Sequence, residues 1–363
     1  MQIPNNFCAL LIRGTGLNNH EIERIKTVYK ENGREEIYEF AKNKKILPFA
    51  ANAFANNGIE VDFWNEVLNT YRIRNEIILS FLDKVYKSLH EMGVRKMFVS
   101  ENFAALLSAK LNIALFASGD IDNFADPEEK EKIYHAFESL GCRRKERYSG
   151  KHQIAAEFFP QGNECLPNDF YVSVDFYPLA RLKLPCFVNA DDFINWDRLY
   201  NYENTHIVLP PVDALTYICM LHISLHSFSR APDIRLYIDL LNMDKLLINY
   251  KDIKAWAIRD KTRTRLATAA ELSNYLMKTS FPDEIIQDSK RRVKVEALVY
   301  DKSKEDLRYE PNSFDVLRIE INCDDKSSLN GLFKILFPDK KWMTKVYGSH
   351  GVVAHLKHIK KVL

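Results

Sequence analysis

Residues 62–93, DFWNEVLNTYRIRNEIILSFLDKVYKSLHEMG, constrain the fold most tightly. Trp64, Val67, Leu68, Tyr71, Ile78, Phe81, Leu82, Val85 and Leu89 recur at spacings of three, four and seven, which a helix gathers into one apolar stripe. Asp62 stands where a helix takes its N-cap and Gly93 where one stops. A stripe this long must be covered by other elements. The helical pattern runs from about residue 20 to 92. With 12 glycines and 13 prolines in 363 residues, the chain favours helix over a turn-rich all-β fold.

The middle of the chain alternates. VRKMFVS reads as a strand from about Arg95 to Val99, and ENFAALLSAKL as a helix that Ser100 can cap. IALFASGDIDNF reads as loop and strand. DPEEKEKIYHAFESLG reads as a helix opening at Asp126–Pro127 and closing at Gly141. KHQIAAEFF and DFYVSVDFYPL read as strands joined by the polar loop PQGNECLPN. This is an α/β or α+β core of about 100 residues. From about residue 210 the chain turns helical again, through PPVDALTYICMLHISLHSF, DIRLYIDLLNM, DIKAWAIRD and TRLATAAELSNYLM. Residues 290–330 read as charged and irregular, with a strand at DVLRIEIN, before closing helices at SLNGLFKILFP and VVAHLKHIKKVL. The expected division is a helical region 1–93, an α/β core 94–205 and a mainly helical region 206–363. No internal repeat interrupts it.

Bulk chemistry narrows the function classes. Hydrophobic residues at 46% and charged residues at 28% are the balance of a soluble globular protein. A net charge of +2 argues against a chain built around a strong polyanion or membrane field, and disfavours a long nucleic acid. The six cysteines are widely spread and form no CxxC pair, so neither a zinc knuckle nor a disulfide framework is expected. The start MQIPNNFCALLIRG does not read as a signal peptide. No apolar run reaches about 18 residues, so no membrane partner is expected, and the cytoplasm is the expected location.

Chemistry concentrates at LFASGDIDNF, residues 115–124. Residues two apart in a strand face the same way, so Asp120 and Asp122 project together. Like charges this close repel, and a divalent cation relieves that. Carboxylate oxygens are the ligands Mg²⁺ prefers. In YVSVDFY, Asp175 shares a face with Tyr171 and Ser173 and is the strand's one charge. Three strand aspartates suit two metal ions in phosphoryl or nucleotidyl transfer.

Several landmarks together resemble the uncharacterised bacterial nucleotidyltransferases of the polymerase-β superfamily. KKILPFAANAF resembles their early segment, with Asn75 in the helix before the core. GVRKMFVSENFAALL sits at their strand, Lys-Gly turn and helix. SGDIDNFADPEE, VSVDFY and FINWDRL follow in order. So do LPPVDALTYICMLHISLHSF, DIRLYIDLLNM and LFPDKKWMTKVYG. The resemblance implies an α+β polymerase-β-like core flanked by helical regions. It implies metal ligation by Asp120, Asp122 and Asp175, with Mg²⁺ or Mn²⁺ as cofactor. It also implies a nucleoside triphosphate as donor and a hydroxyl acceptor, with Ser100, Ser118, Gly119, Arg230, Arg235 and His226 as substrate-side residues. The chain departs from the pattern as well. The Lys-Gly turn reads Ser100–Glu101, no arginine stands just before Asp120, the apolar pair after Asp122 reads Asn123–Phe124, and the histidine after Asp175 is Tyr177. The alternative is therefore a catalytically degenerate relative that binds or regulates.

Other features have plainer readings. His222 and His226, four apart, share a helix face, but Ile223 stands where a zinc protease carries glutamate. They read as a packed or hydrogen-bonded pair. Arg235 and Asp239, also four apart, read as a helix ion pair; alternatively Arg230 or Arg235 reaches the triphosphate. CRRKERYSGKH reads as a solvated turn or, lying just before a strand, as a contact for an anionic acceptor; LKHIKK reads as a solvated helix face, and RGTG is too short for a phosphate loop. A third reading is a helical interaction protein in which GDID is an ordinary strand end.

Overall fold

The computed structural model describes the chain except residues 1–2, 4–5, 15, 149–153, 163–165, 168–169, 177–187, 189–191, 230–233, 287–289, 304–305, 309–312, 324–332, 334–335, 339 and 363. The long apolar stripe forms α4, Val61–Glu91. Its cap position is Glu60, in a left-handed conformation and without a side-chain cap bond. Asp62 lies one step inside, in the first turn, where a carboxylate still favours the helix dipole. Gly93, at φ +75°, follows the helix end as expected. Before it come α1 (Phe7–Arg13), α2 (Asn19–Asn43) and α3 (Leu47–Asn56). Asn18 closes a capping box with Glu21 at the start of α2. Trp64 of α4 is buried between Tyr29 of α2 and Phe54 of α3.

The centre is a five-stranded mixed sheet built from β1 (Met97–Val99), β2 (Asp120–Ala125), β3 (Cys142–Tyr148), β4 (Ile154–Pro160) and β5 (Tyr171–Asp175). The order is β1-β2-β5-β4-β3. β2 and β5 run parallel, and every other pairing is antiparallel. The parallel pair is possible because α6 (Lys130–Ser139) and two further strands separate β2 from β5 in the chain. One stretch differs from expectation. CRRKERY is the edge strand β3, not a solvated turn. Its charges cover an exposed sheet edge, a common way to blunt one, and Arg144 lies over the Tyr134 ring of α6 at 3.9 Å.

The two faces of the sheet carry opposite chemistry, as the strand period of two requires. Ile121, Asn123, Val172, Val174 and Phe158 are buried beneath α4 and α6. Phe137 of α6 stacks on Phe158 at 4.0 Å. Tyr86 of α4 donates its hydroxyl proton to Oδ1 of Asn123 at 2.7 Å, and Asn123 Nδ2 donates to the Ser173 carbonyl of β5. Asn123 thereby clamps helix to sheet and β2 to β5. The other face carries Asp120, Asp122, Ser173 and Asp175, all half-buried.

Beyond the sheet the chain is mainly helical: α7 (Val212–Leu225), α8 (Ile238–Met243), α9 (Tyr250–Asp260), α10 (Arg263–Met277), α11 (Asp283–Ile286), α12 (Lys290–Val299) and α13 (Ser313–Asn322). α7 is buried on nearly every side, the pattern of a central helix. Lys290–Val299 and Ser313–Asn322 form α12 and α13, and Tyr300–Asp301 pairs with Asp306–Leu307, which corrects the expected irregular chain over these residues and the expected strand at DVLRIEIN. The alternation of charge there imitates a strand, but adjacent Ile319 and Glu320 are both buried, which a strand with one solvated face would not give. The expected closing helix at 328–338 lies largely outside the described residues. The chain is thus α+β, with a small mixed sheet among helices. One hydrophobic cluster reaches from Ile3 to Cys323. Among the described residues no helix is long and apolar enough to cross a membrane.

Candidate functional site

Parallel pairing of β2 with β5 sets Asp120 beside Tyr171, Asp122 beside Ser173 and Phe124 beside Asp175. The three aspartates therefore share one sheet face on neighbouring strands, about 4.8 Å apart in the pairing direction. Asp175 stands one same-face position beyond Asp122 rather than opposite it.

Asp120 is held at both oxygens. Ser118 Oγ donates to Oδ1 at 2.5 Å, and the Tyr171 hydroxyl donates to Oδ2 at 3.0 Å. Burial and the Asp120 charge push the Tyr171 phenol up, so it stays protonated and donates. The loop before β2 is pinned from α4: Arg74 Nη2 donates to the Ser118 carbonyl at 2.6 Å, and buried Asn75 donates to the carbonyls of Ile113 and Phe116 at 2.7 and 2.9 Å. A helix thus fixes where the first aspartate enters the sheet. Gly119 follows, its carbonyl accepting the Tyr171 N–H.

The other wall begins at the end of β1. The Ser100 N–H donates to the Asp122 carbonyl at 2.8 Å. Ser100 occupies the cap position of α5 (Glu101–Ser108) but makes no side-chain cap bond, contrary to expectation. Its Oγ is buried and has no hydrogen-bond partner among the described residues. Glu101 then turns left-handed, at φ +55°. That is the conformation a glycine adopts freely, so Glu101 makes this turn with a backbone that L side chains rarely adopt. Glu101 is buried, and its Oε2 lies 3.2 Å from Nδ1 of His222 on α7. His222 Nε2 lies 3.0 Å from His226 Nε2. One proton bridges two facing nitrogens, so the histidines form the hydrogen-bonded pair their spacing suggests.

α8 closes the site. Asp239 is buried, and burial pushes its carboxyl up to about 8, with the Asp122 charge adding and Arg235 opposing. Arg235 therefore lies within electrostatic reach of Asp239 and Asp122. The Cys219 thiol of α7 is raised by burial and by the charges of Asp239 and Glu101, so these groups converge where α5 packs on α7 and α8. Arg230 and Tyr177 lie outside the described residues.

Of the residues singled out in sequence, Asp120, Asp122, Asp175, Ser100, Ser118 and Gly119 come together along β2, β5 and the end of β1. His226 and Arg235 approach from the helical half. Four participants were not assigned to the site: Tyr171, Arg74, Glu101 and Asp239. Tyr171 was within reach, since it shares strand parity with Asp175. Glu101 registered only as a departure from a family pattern.

The donor set is hard carboxylate oxygen, the kind Mg²⁺ and Mn²⁺ prefer. Among the described residues no three His, Cys, Asp or Glu side chains are close enough to enclose one ion. The set therefore does not suit an all-protein cage. It does suit Mg²⁺ held by one or two carboxylates, waters and substrate phosphates. The chain matches no family model, no curated protein and no solved structure.

Proposed function

We propose that the chain is a polymerase-β-type nucleotidyltransferase that moves a nucleoside monophosphate from a nucleoside triphosphate to a hydroxyl acceptor. The observation that supports this best is the alignment of Asp120, Asp122 and Asp175 on one face of two parallel neighbouring strands. Asp120, Asp122 and, on the next strand, Asp175 would hold two Mg²⁺ or Mn²⁺ ions between them, each ion taking one or two carboxylates with waters and substrate phosphates completing its shell. The bound metal supplies positive charge that activates the acceptor oxygen and stabilises the leaving pyrophosphate. Tyr171 and Ser118 keep the Asp120 carboxylate oriented. Asp175 would accept the acceptor's proton. Ser118, Gly119, Ser100, Arg235, Arg230 and His226 would bound the substrate. Positioning and fixed charge would account for most of the rate. A nucleoside triphosphate donor implies the cytoplasm.

One observation favours a second reading, a degenerate relative that binds or regulates without transfer. The Glu101 carboxylate occupies the turn where a triphosphate needs backbone amides and positive charge.

Thermal melting of the wild type and of Asp120→Asn/Asp122→Asn, with Mg²⁺ and each of the four triphosphates, separates the readings. A ligand at a hundred times its Kd stabilises by about 2.7 kcal/mol. The expected result is a metal-dependent upward shift with at least one triphosphate, lost in the double variant. No shift with any triphosphate overturns the transferase reading. Binding without turnover against any hydroxyl acceptor favours the second. Full activity in Asp175→Asn removes Asp175 from the proton-accepting role.

A further inference from the structure

The last two described helices, Lys340–Tyr347 and Val352–Val362, form a hairpin with its own small core. Met343 and Ala354 are buried there against Tyr347. The Tyr347 hydroxyl lies 3.0 Å from His358 Nδ1. Ala354 and His358, one turn apart, therefore mark the inner side of the second helix.

At 100° per residue, the opposite side belongs to Val352, Val353 and Leu356. These are 77%, 67% and 60% exposed. An ordinary surface helix turns polar residues outward. This one turns its aliphatic residues outward, and exposed Phe337 stacks on the neighbouring His355 at 6.3 Å. Lys357 and Lys360 are exposed on the same helix. Residues 340–363 carry six lysines and no aspartate or glutamate. The segment's charge exceeds the chain's whole net charge of +2, so the remainder is net acidic.

We propose that this hairpin is a docking surface for an anionic phospholipid bilayer, with Val352, Val353 and Leu356 entering the headgroup boundary and Lys357 and Lys360 meeting lipid phosphates. The argument is complementarity of two kinds at one place. A helix that lies in a bilayer interface needs an outward apolar face flanked by cations. Each lysine near an anionic leaflet is worth roughly fivefold in partitioning. Nucleic acid would use the lysines but leaves the three aliphatic side chains without a role. The expectation of no membrane partner rests on the absence of a long apolar run and on the chain's average charge; the first does not bear on a helix lying in the interface, and the second hides this asymmetry. The proposal is independent of the nucleotidyltransferase reading.

The test is co-sedimentation of the full chain with vesicles of phosphatidylcholine alone and of phosphatidylcholine with phosphatidylserine. Variants are Val353→Ser/Leu356→Ser and Lys357→Glu/Lys360→Glu, with melting curves to check that each folds. These positions are exposed, so folding should survive. The chain should pellet with the phosphatidylserine vesicles only, and less at high salt. The serine pair should weaken binding at least fivefold, and the charge-reversed pair should weaken it more than tenfold. No sedimentation with phosphatidylserine at low salt overturns the proposal. So does binding that the serine pair leaves unchanged, or tighter binding to single-stranded RNA that depends on the lysines alone.

Discussion

The carboxylate of Glu101 lies 3.2 Å from Nδ1 of His222, although Glu101 has the left-handed backbone that glycine favours. A non-glycine residue in that region costs about 1–2 kcal/mol. Pairing with the partly buried His222 offsets part of this. Glu101→Gly removes the strain and the pair together, so stability should change by less than about 1.5 kcal/mol. The nucleotide effect should be larger. Under the proposed function, removing a negative charge from the phosphate turn should tighten binding of the magnesium triphosphate roughly tenfold, equivalent to about 1.4 kcal/mol. Titration calorimetry of the wild type, Glu101→Gly and Glu101→Gln reads this directly. Gln removes the charge and keeps the backbone strain, so a gain in both variants assigns the effect to charge. No gain in either places the phosphates away from Glu101.

Asp239 makes stability depend on pH. Its carboxyl is pushed from 3.8 to about 8, chiefly by burial. The folded state therefore keeps a proton that the unfolded chain has already released. This contribution is complete below about pH 4 and is lost as pH rises toward 8, at up to about 1.4 kcal/mol per pH unit. Asp239→Asn lacks the titrating group. Urea unfolding at pH 5.5 and pH 8 should show a smaller fall in midpoint for the variant. At pH 8 the variant should be the more stable protein by at least about 1 kcal/mol. Equal pH dependence in both proteins would show that Asp239 is ionised in the folded state.

Much of this arrangement was legible because periodicity is local. The stripe from Trp64 to Leu89 needs no partner to be read as a helix, and strand parity puts Asp120 and Asp122 side by side. What escaped depends on contacts distant in sequence. β3 hides because its unbroken run of charged residues, 143–147, shows no apolar alternation; pairing with β4 and the Tyr134 ring of α6 make it a strand. α13 imitates a strand until Glu320 is seen to meet Arg265 of α10. Asp239 reads as an Arg235 partner at helical spacing, and only its burial near Asp122 brings it into the site.

Asn75 tests how the first aspartate is positioned. Its side-chain amide donates to two carbonyls of the 113–116 turn, 38 and 41 residues away in sequence. Asn75→Leu would leave both without that donor in a buried setting, at about 1–3 kcal/mol. The Ser118–Asp120 approach should loosen with it. The expected outcome is a melting point a few degrees lower and a loss of triphosphate binding larger than the stability loss alone would give at a temperature where the variant is folded. Lower stability with unchanged binding would confine Asn75 to a packing role.

The buried pair between Arg265 and Glu320 sets the strength of the helical half. Arg265 is fully buried; its Nη2 donates to Glu320 Oε2 at 3.0 Å and its Nη1 to Ser224 Oγ at 3.3 Å. The guanidinium thereby ties α10 to α7 and to α13. Removing one partner strands a charge where desolvation is costly, so Glu320→Ala should destabilise by about 3–5 kcal/mol. Replacing both with apolar residues of similar volume removes the stranded charge. Arg265→Met/Glu320→Leu should therefore recover most of the loss, because buried ion pairs contribute little over a well-packed apolar pair. Urea midpoints for Arg265→Met, Glu320→Leu and the double variant complete the cycle. If the double variant is as unstable as Glu320→Ala, the pair is held by its further hydrogen bonds, and α13 depends on those for its place against α10.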